Sequence, residues 1–112
     1  MYRCDIKPLS VNEAWLGRKR KSAKYRKYEA EVTELLATAE IEVPPTGGLG
    51  LCLEFGFSSS ASDIDNPIKP FQDILQKVYG FDDKRIHELI VHKTKVKRGE
   101  EYILFDLYVL ED

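Results

Sequence analysis

The sequence predicts an α+β fold: one domain over residues 1–112, with a mixed sheet and two helices packed on one of its faces. Two regions carry apolar residues at helical spacing, and one nine-residue region alternates strictly between large apolar residues and smaller or charged ones. The predicted elements follow in the order β-α-β-α-β-β, with two helical crossovers and one hairpin. A length of 112 residues suits a single domain.

The N-terminal part is predicted to contain a short strand, a loop and a helix. Residues 2–7 alternate weakly, and residues 8–17 form a loop in which Trp15 anchors against the body of the domain. Ser22 is a suitable N-cap for a helix over residues 22–40. Its apolar face consists of Tyr25, Tyr28, Val32, Leu35, Leu36 and Ala39.

The middle of the chain predicts a strand followed by a second helix. Residues 49–57 alternate without a fault, which is typical of a strand with one buried face. A polar loop over residues 58–62 follows. Asn66 can cap the second helix, Pro67 suits its first position, and Gly80 ends it.

Two more strands are predicted at the C-terminal end, over residues 85–96 and 101–110. Residues 97–100 indicate a hairpin between them, because Gly99 can adopt a positive φ. The last strand is apolar on both faces except for Asp106. It is therefore either central in the sheet or part of a subunit interface.

Several classes of protein are excluded by composition. No apolar run approaches the roughly 20 residues of a membrane helix, and the N-terminus has no secretory apolar region. Cys4 and Cys52 are far apart in the sequence, which argues against a disulfide scaffold or a cysteine-rich zinc site. We expect free thiols in a reducing cytoplasm.

The net charge of −2 results from two opposed segments. Residues 1–27 carry nine basic and two acidic side chains, a balance of +7, whereas residues 28–112 carry eight basic and seventeen acidic ones, a balance of −9. The basic run 18–27 opposes the dipole of the predicted helix, so it indicates either an anionic partner or a solvated helix start. Lys93 and Lys95 belong to a second basic cluster on one strand face.

Carboxylates flank the second helix. Asp63 and Asp65 precede it, and Asp82 and Asp83 follow it, so the two groups meet only if the chain folds back after the helix. Carboxylate oxygens suit Mg²⁺, which can activate water and stabilise charge on a phosphodiester. Lys69 could neutralise a phosphate oxygen. The alternative is that these aspartates only make turns and caps.

Other catalytic groups have little support. His87 and His92 fall on opposite faces of a regular strand, and we expect both at the surface. The serines sit in no nucleophile elbow.

The acidic residues belong to a longer pattern that continues through the second helix. It reads Asp63-Ile64-Asp65-Asn66-x-x-Lys69, then Asp73-Ile74-Leu75, then Gly80-x-Asp82-Asp83; near the N-terminus stands a Pro-x-Ser-x-Asn loop with Pro8, Ser10 and Asn12. This pattern resembles the signature of the RusA family of Holliday junction resolvases. Residues 58–62 depart from the family because they replace an arginine-rich stretch, which removes local positive charge and changes the expected mode of DNA contact near this loop.

The resemblance implies a small, homodimeric, Mg²⁺-dependent endonuclease, with Mn²⁺ as a substitute ion, which cuts four-way DNA junctions symmetrically. Many members are encoded by phages or prophages. The implied metal ligands and catalytic aspartates are Asp63, Asp65 and Asp83, with Lys69 as catalytic lysine and Asp82, Asn66 and Asn12 as auxiliary residues. The basic residues expected to contact DNA are Arg18, Lys19, Arg20, Lys21, Lys24, Lys93 and Lys95.

Two other functions stay open at this point: a nuclease for other branched or duplex DNA, and a non-catalytic nucleic-acid-binding module. If the site binds Mg²⁺, we expect the carboxyl groups of Asp63, Asp65 and Asp83 to converge within roughly 4–5 Å of one another.

Overall fold

The computed structural model describes residues 1–17 and 20–110. In chain order, its elements are β1 (Tyr2–Cys4), α1 (Val11–Ala14), β2 (Trp15–Leu16), β3 (Arg20–Lys21), α2 (Ala23–Leu36), β4 (Leu49–Phe57), α3 (Ile68–Tyr79), β5 (Ile86–Lys95) and β6 (Tyr102–Val109). A short 3₁₀ helix, Asp83–Arg85, precedes β5.

The main sheet is mixed, as predicted. Its strand order is β1-β6-β4-β5, and β2 pairs with β3 in a separate two-stranded ribbon. Strand β4 runs parallel to β5 and antiparallel to β6, and β1 is antiparallel to β6. The predicted hairpin between the last two strands is wrong, because β4 lies between β5 and β6.

Burial explains why these two strands are not neighbours. Gly99 does turn the chain, with φ 92°, but a turn only reverses direction and does not select the adjacent strand. Strand β5 is exposed along most of its length on both faces, so it belongs at the sheet edge. Strand β6 carries apolar residues on both faces and is internal, the first of the two predicted alternatives.

Helices α2 and α3 pack on one face of the sheet, as predicted. The alternating apolar residues of β4 are fully buried there, and Leu53 lies opposite Phe105 of β6. Phe71 of α3 contacts both Phe55 and Phe105 edge-on, with ring centroids 6.4 and 5.6 Å apart. The core therefore fixes α3 over the centre of the sheet.

The N-terminal region is more structured than predicted, because the expected loop over 8–17 contains α1 and β2. The predicted cap of α2 is confirmed: the Ser22 hydroxyl accepts from the Tyr25 amide at 3.0 Å and donates to the Glu13 carbonyl at 2.7 Å. The helix ends at Leu36 rather than at residue 40. The Thr38 hydroxyl donates to the Leu35 carbonyl at 2.9 Å beyond that end.

Helix α3 begins one residue later than predicted, at Ile68. Pro67 occupies its N-cap, and no side chain caps the helix, so the predicted cap by Asn66 is wrong. Gly80 ends the helix in the left-handed region at φ 68°, as predicted.

The cysteines, the histidines and the length of the helices were also the subject of predictions. Cys4 and Cys52 are free thiols, and burial, with a contribution from Asp5, raises the pKa of Cys4 to about 11. His87 and His92 are exposed. In the part of the chain that the structure describes, no helix has the length and apolar character needed to cross a membrane.

On the sheet face away from the helices, two tyrosines lie over glycines. The ring of Tyr102 covers Gly56, and its hydroxyl donates to Glu54 at 2.6 Å. A Cβ at Gly56 would lie 2.5 Å from the Tyr102 ring, closer than packed atoms tolerate. Gly50 has the same relation to Tyr108.

We therefore predict that Gly56→Ala lowers the free energy of unfolding by about 1–3 kcal/mol through overpacking. Urea denaturation measures the loss. Adding Tyr102→Leu removes the clash, so the double variant is expected to lose less than the two single losses together. Strict additivity would contradict the contact.

An ion cluster joins β3, α2 and α3. Glu29 accepts from Lys21 at 2.9 Å, and Lys77 lies 3.5 Å away. Burial alone raises the pKa of Glu29, but the hydrogen bond from Lys21 and the charges of Lys21 and Lys77 outweigh it, so the pKa falls below its ordinary value of 4.5. The ionised carboxylate is the form that stabilises the fold.

We predict that Glu29→Gln costs roughly 1 kcal/mol of stability at pH 7. Because the folded pKa is depressed, wild type has its full advantage above the ordinary pKa of 4.5 and loses it as pH falls through the folded value. Urea denaturation of both proteins at pH 7, 5 and 3 tests the sign. A difference that grows towards pH 3 would contradict this assignment.

Candidate active site

The first two aspartates lie on an exposed turn between β4 and α3. Main-chain bonds make this turn: the Asn66 amide donates to the Asp63 carbonyl, and the Ile68 amide donates to the Asp65 carbonyl, both at 3.3 Å. The side chains of Asp63 and Asp65 are exposed, and α3 has no side-chain cap. Their carboxylates are therefore not used as helix caps.

Two contacts hold this turn against the rest of the domain. The Val11 amide of α1 donates to the Asn66 carbonyl at 2.8 Å. The Lys93 ammonium of β5 donates to the Ser62 carbonyl. Asn12, a predicted auxiliary residue, follows Val11. Its main-chain N–H donates to the Ser10 hydroxyl at 3.2 Å.

The chain folds back after α3 and returns Asp83 to the helix. Helix α3 has twelve residues, which span about 18 Å, yet the Asp83 carboxylate lies 4.0 Å from the ammonium of Lys69 in the first turn. Lys69 also donates to Asp73 at 2.8 Å. Sequence reasoning assigned Asp73 no role, although its i,i+4 spacing from Lys69 is a signal for such a pair.

These carboxylates favour the charged form of Lys69. The hydrogen bond to Asp73, followed by the charges of Asp73 and Asp83, raises the pKa of Lys69 above its ordinary value. Asp82 has a different environment: it accepts from the Lys84 amide at 3.0 Å at the start of the 3₁₀ helix. That bond lowers the pKa of Asp82. Asp82 therefore has a capping role.

The predicted convergence of three carboxyl groups is not present in the described parts of the chain. Within them, no group of three or more His, Cys, Asp or Glu side chains is arranged to hold a metal ion. Carboxylates without a cation repel one another and favour solvent. The donor chemistry fits Mg²⁺, since exposed carboxylates lie on one turn and another is held beside Lys69.

The basic residues expected to contact DNA lie in several places. Arg18 and Lys19 fall outside the described residues. Arg20 is exposed in β3, whereas Lys21 pairs with Glu29 as described above. Lys24 pairs with Glu13 at 3.1 Å.

The two predicted contacts on β5 are both exposed. Lys93 and Lys95 lie opposite Phe55 and Phe57 at the end of β4, where the chain leaves towards the aspartate turn. They therefore border the candidate site.

A comparison with protein families matches residues 5–103 to Endodeoxyribonuclease RusA. The chain belongs to the RusA endodeoxyribonuclease family. The matched range includes the aspartate turn, all of α3 and Asp83. RusA proteins are divalent-metal-dependent nucleases that act on branched DNA, and their activity is cleavage of Holliday junctions. A comparison with curated proteins finds no match.

The contact between Lys69 and Asp73 gives a prediction for this RusA protein. If Lys69 acts on the phosphate, Asp73→Asn leaves it a weaker partner, and we expect cleavage to slow by about 10- to 100-fold, the range for residues that orient metal ligands. Gel assays of junction cleavage measure the rate. Gln72→Ala, at the preceding position of the same helix, is the control and is expected to cut normally; equal rates for wild type and Asp73→Asn would contradict the role.

Proposed function

We propose that this protein is a Mg²⁺-dependent homodimer that resolves four-way DNA junctions by symmetric, paired cleavage of phosphodiester bonds. The observation that supports this proposal best is the return of Asp83 to within 4.0 Å of Lys69. A purely structural role for Lys69 does not explain why Asp83 lies so close to it, because Asp73 already neutralises Lys69 at 2.8 Å.

In this proposal Asp63, Asp65 and Asp83 hold Mg²⁺, with Mn²⁺ as a substitute. The bound ion would activate water and offset charge on the phosphate. Lys69 stabilises the negative charge that builds on the phosphate oxygens during attack. Asp73 and Asp83 orient Lys69 through their contacts with its ammonium group.

The basic residues bind the DNA backbone in this proposal. Lys93 and Lys95 border the aspartate turn and would contact the phosphates nearest the cut. Arg20, with the predicted contacts of the same run, would contact an arm of the junction, and Lys21 would join them only by exchanging Glu29 for a phosphate. Such contacts position DNA without reading its sequence.

A homodimer supplies the second site that paired cutting requires. A two-fold assembly suits a junction that is itself roughly two-fold. Strand β6 is internal, so its edges are not the preferred dimer surface. Strand β5 fits better, because it is a ten-residue edge strand whose Leu89 and Ile90 are 45% and 41% exposed on opposite faces.

The metal-ligand role of Asp65 predicts a separation of binding from cutting. Asp65→Asn is expected to slow cleavage of a four-way junction at least about 100-fold, while junction binding stays equal or becomes tighter, because a negative charge near phosphate is lost. Cleavage gels with Mg²⁺ and mobility shifts without it measure the two effects.

The matched control is Asp5→Asn, which removes one exposed aspartate at the end of β1 and is expected to cut as wild type does. Cleavage by Asp65→Asn at the wild-type rate would contradict the proposed site. Absence of Mg²⁺-dependent cutting by wild type on any branched DNA would leave only a binding module.

The acidic site could cut the phosphodiester bonds of any DNA, so the preferred substrate is tested by comparing cutting rates on different DNA structures. We expect faster cutting of a four-way junction than of a fork, a flap or a linear duplex with the same sequence. Preference for the linear duplex would contradict resolution as the function.

The phosphate contacts predict a strong salt dependence of junction binding. The logarithm of the affinity is expected to fall linearly with the logarithm of salt concentration. Lys95→Ala is expected to reduce that slope by roughly one, whereas Lys27→Ala, which removes a lysine paired with Glu31 at 4.0 Å, leaves it unchanged. Fluorescence anisotropy at several salt concentrations measures the slopes, and a flat response would contradict backbone binding.

A further inference from the structure

A cleft of about 400 Å³ lies beside the candidate site, between the β2–β3 ribbon, α2 and α3. We call it the Trp15 cleft. Trp15 and Lys21 line it from the ribbon, Tyr25 from α2, and Gln76 and Lys77 from α3. The predicted role of Trp15 as a loop anchor leaves this space unexplained.

Two aromatic rings form one wall of the cleft. Trp15 contacts Tyr25 edge to face, with ring centroids 5.5 Å apart at 88°. Tyr25 is buried, but 36% of the Trp15 surface is exposed. A fixed, partly exposed aromatic ring at a DNA-binding surface is a platform on which a base can stack.

The charges around the cleft cancel. Lys21 and Lys77 both pair with Glu29, at 2.9 and 3.5 Å, and Asp73 pairs with Lys69. Free phosphate would gain little here, because each lysine already has a carboxylate partner. An uncharged, flat group with polar edges suits the cleft better.

Gln76 adds an uncommitted hydrogen-bonding group. Among the described residues, its side-chain oxygen is buried without a hydrogen-bond partner. A side-chain amide carries both acceptor and donor groups, which can pair with the edge of a base once the amide turns towards the cleft.

Asp73 connects the cleft with the active site, because it lines the cleft and also accepts from Lys69. We propose that the Trp15 cleft receives one unstacked nucleobase of the strand being cut, and thereby sets which phosphate reaches Lys69 and Asp83. This inference rests on the proposed nuclease function and adds a specificity site to it.

Trp15 is the only tryptophan in the chain, so its fluorescence reports on the cleft directly. The wild-type protein is titrated without Mg²⁺ with a four-way junction and with a linear duplex of the same sequence, while mobility shifts confirm saturation. We expect stronger quenching by the junction, whose centre offers unstacked bases. Equal or absent quenching at saturation would overturn the proposal. Absent quenching is also the result expected if the cleft holds another protein segment instead of a base.

Variants test whether the cleft sets the cutting position. Trp15→Ala is expected to weaken junction binding roughly tenfold and to spread cutting over more phosphates, whereas Trp15→Phe keeps the wild-type pattern. Leu16→Ala is the control, since Leu16 is the exposed neighbour in β2 and lies outside the cleft lining. An unchanged cut pattern in folded Trp15→Ala would overturn the proposal.

The two proposals fail separately. Quenching without any Mg²⁺-dependent cutting contradicts the nuclease function, and the role of the cleft in selecting a phosphate fails with it. Binding of a base in the cleft would still stand. Normal cutting with unchanged Trp15 fluorescence contradicts only the cleft.

Discussion

Parallel pairing of β4 with β5 is the constraint on which the rest of the structure depends. Parallel neighbours cannot be joined by a tight turn, so the chain must cross over through α3. The crossover places Asp63 and Asp65 where the chain leaves β4, and Asp83 where it enters β5. Because α3 packs on the buried face of β4 through Phe71, its first turn holds Lys69 at a fixed position between these connections. The core thus positions the site.

The N-terminal segment completes that site. Helix α1 is bonded to the aspartate turn through Val11 and Asn66, and Ser22 links α1 to α2. Within the described part of the basic run, Lys21 and Lys24 each pair with a glutamate. If DNA binds through Lys21 and Lys24, as proposed, these lysines would exchange their glutamate partners for phosphates.

Much of this architecture could be predicted because the signals are local. Strict alternation predicted β4 with its observed bounds, and Ser22 and Gly80 marked a helix start and a helix end. Strand adjacency is not local: the turn at Gly99 looks like a hairpin, and only the exposure of β5 on both faces shows that it is an edge strand.

The candidate site was predictable to the same extent. The family signature selected the aspartates and Lys69 as candidates. The sequence could not show that Asp83 folds back to Lys69, because that contact depends on how far the chain returns after Gly80. The partner of Lys69, Asp73, was visible as an i,i+4 pair. The Trp15 cleft was not, because it forms where the ribbon and α2 meet α3, which is distant from both in sequence.

The central proposal is that Asp63, Asp65 and Asp83 ligate one cation beside Lys69, although their carboxyl groups do not converge in the described parts of the chain. Crystals of the protein soaked in Mn²⁺, as a stand-in for Mg²⁺, test this most directly through anomalous scattering. The account predicts a peak within coordination distance of the Asp83 carboxylate and of at least one carboxylate of the aspartate turn. A peak elsewhere, or none at saturating Mn²⁺, would contradict it.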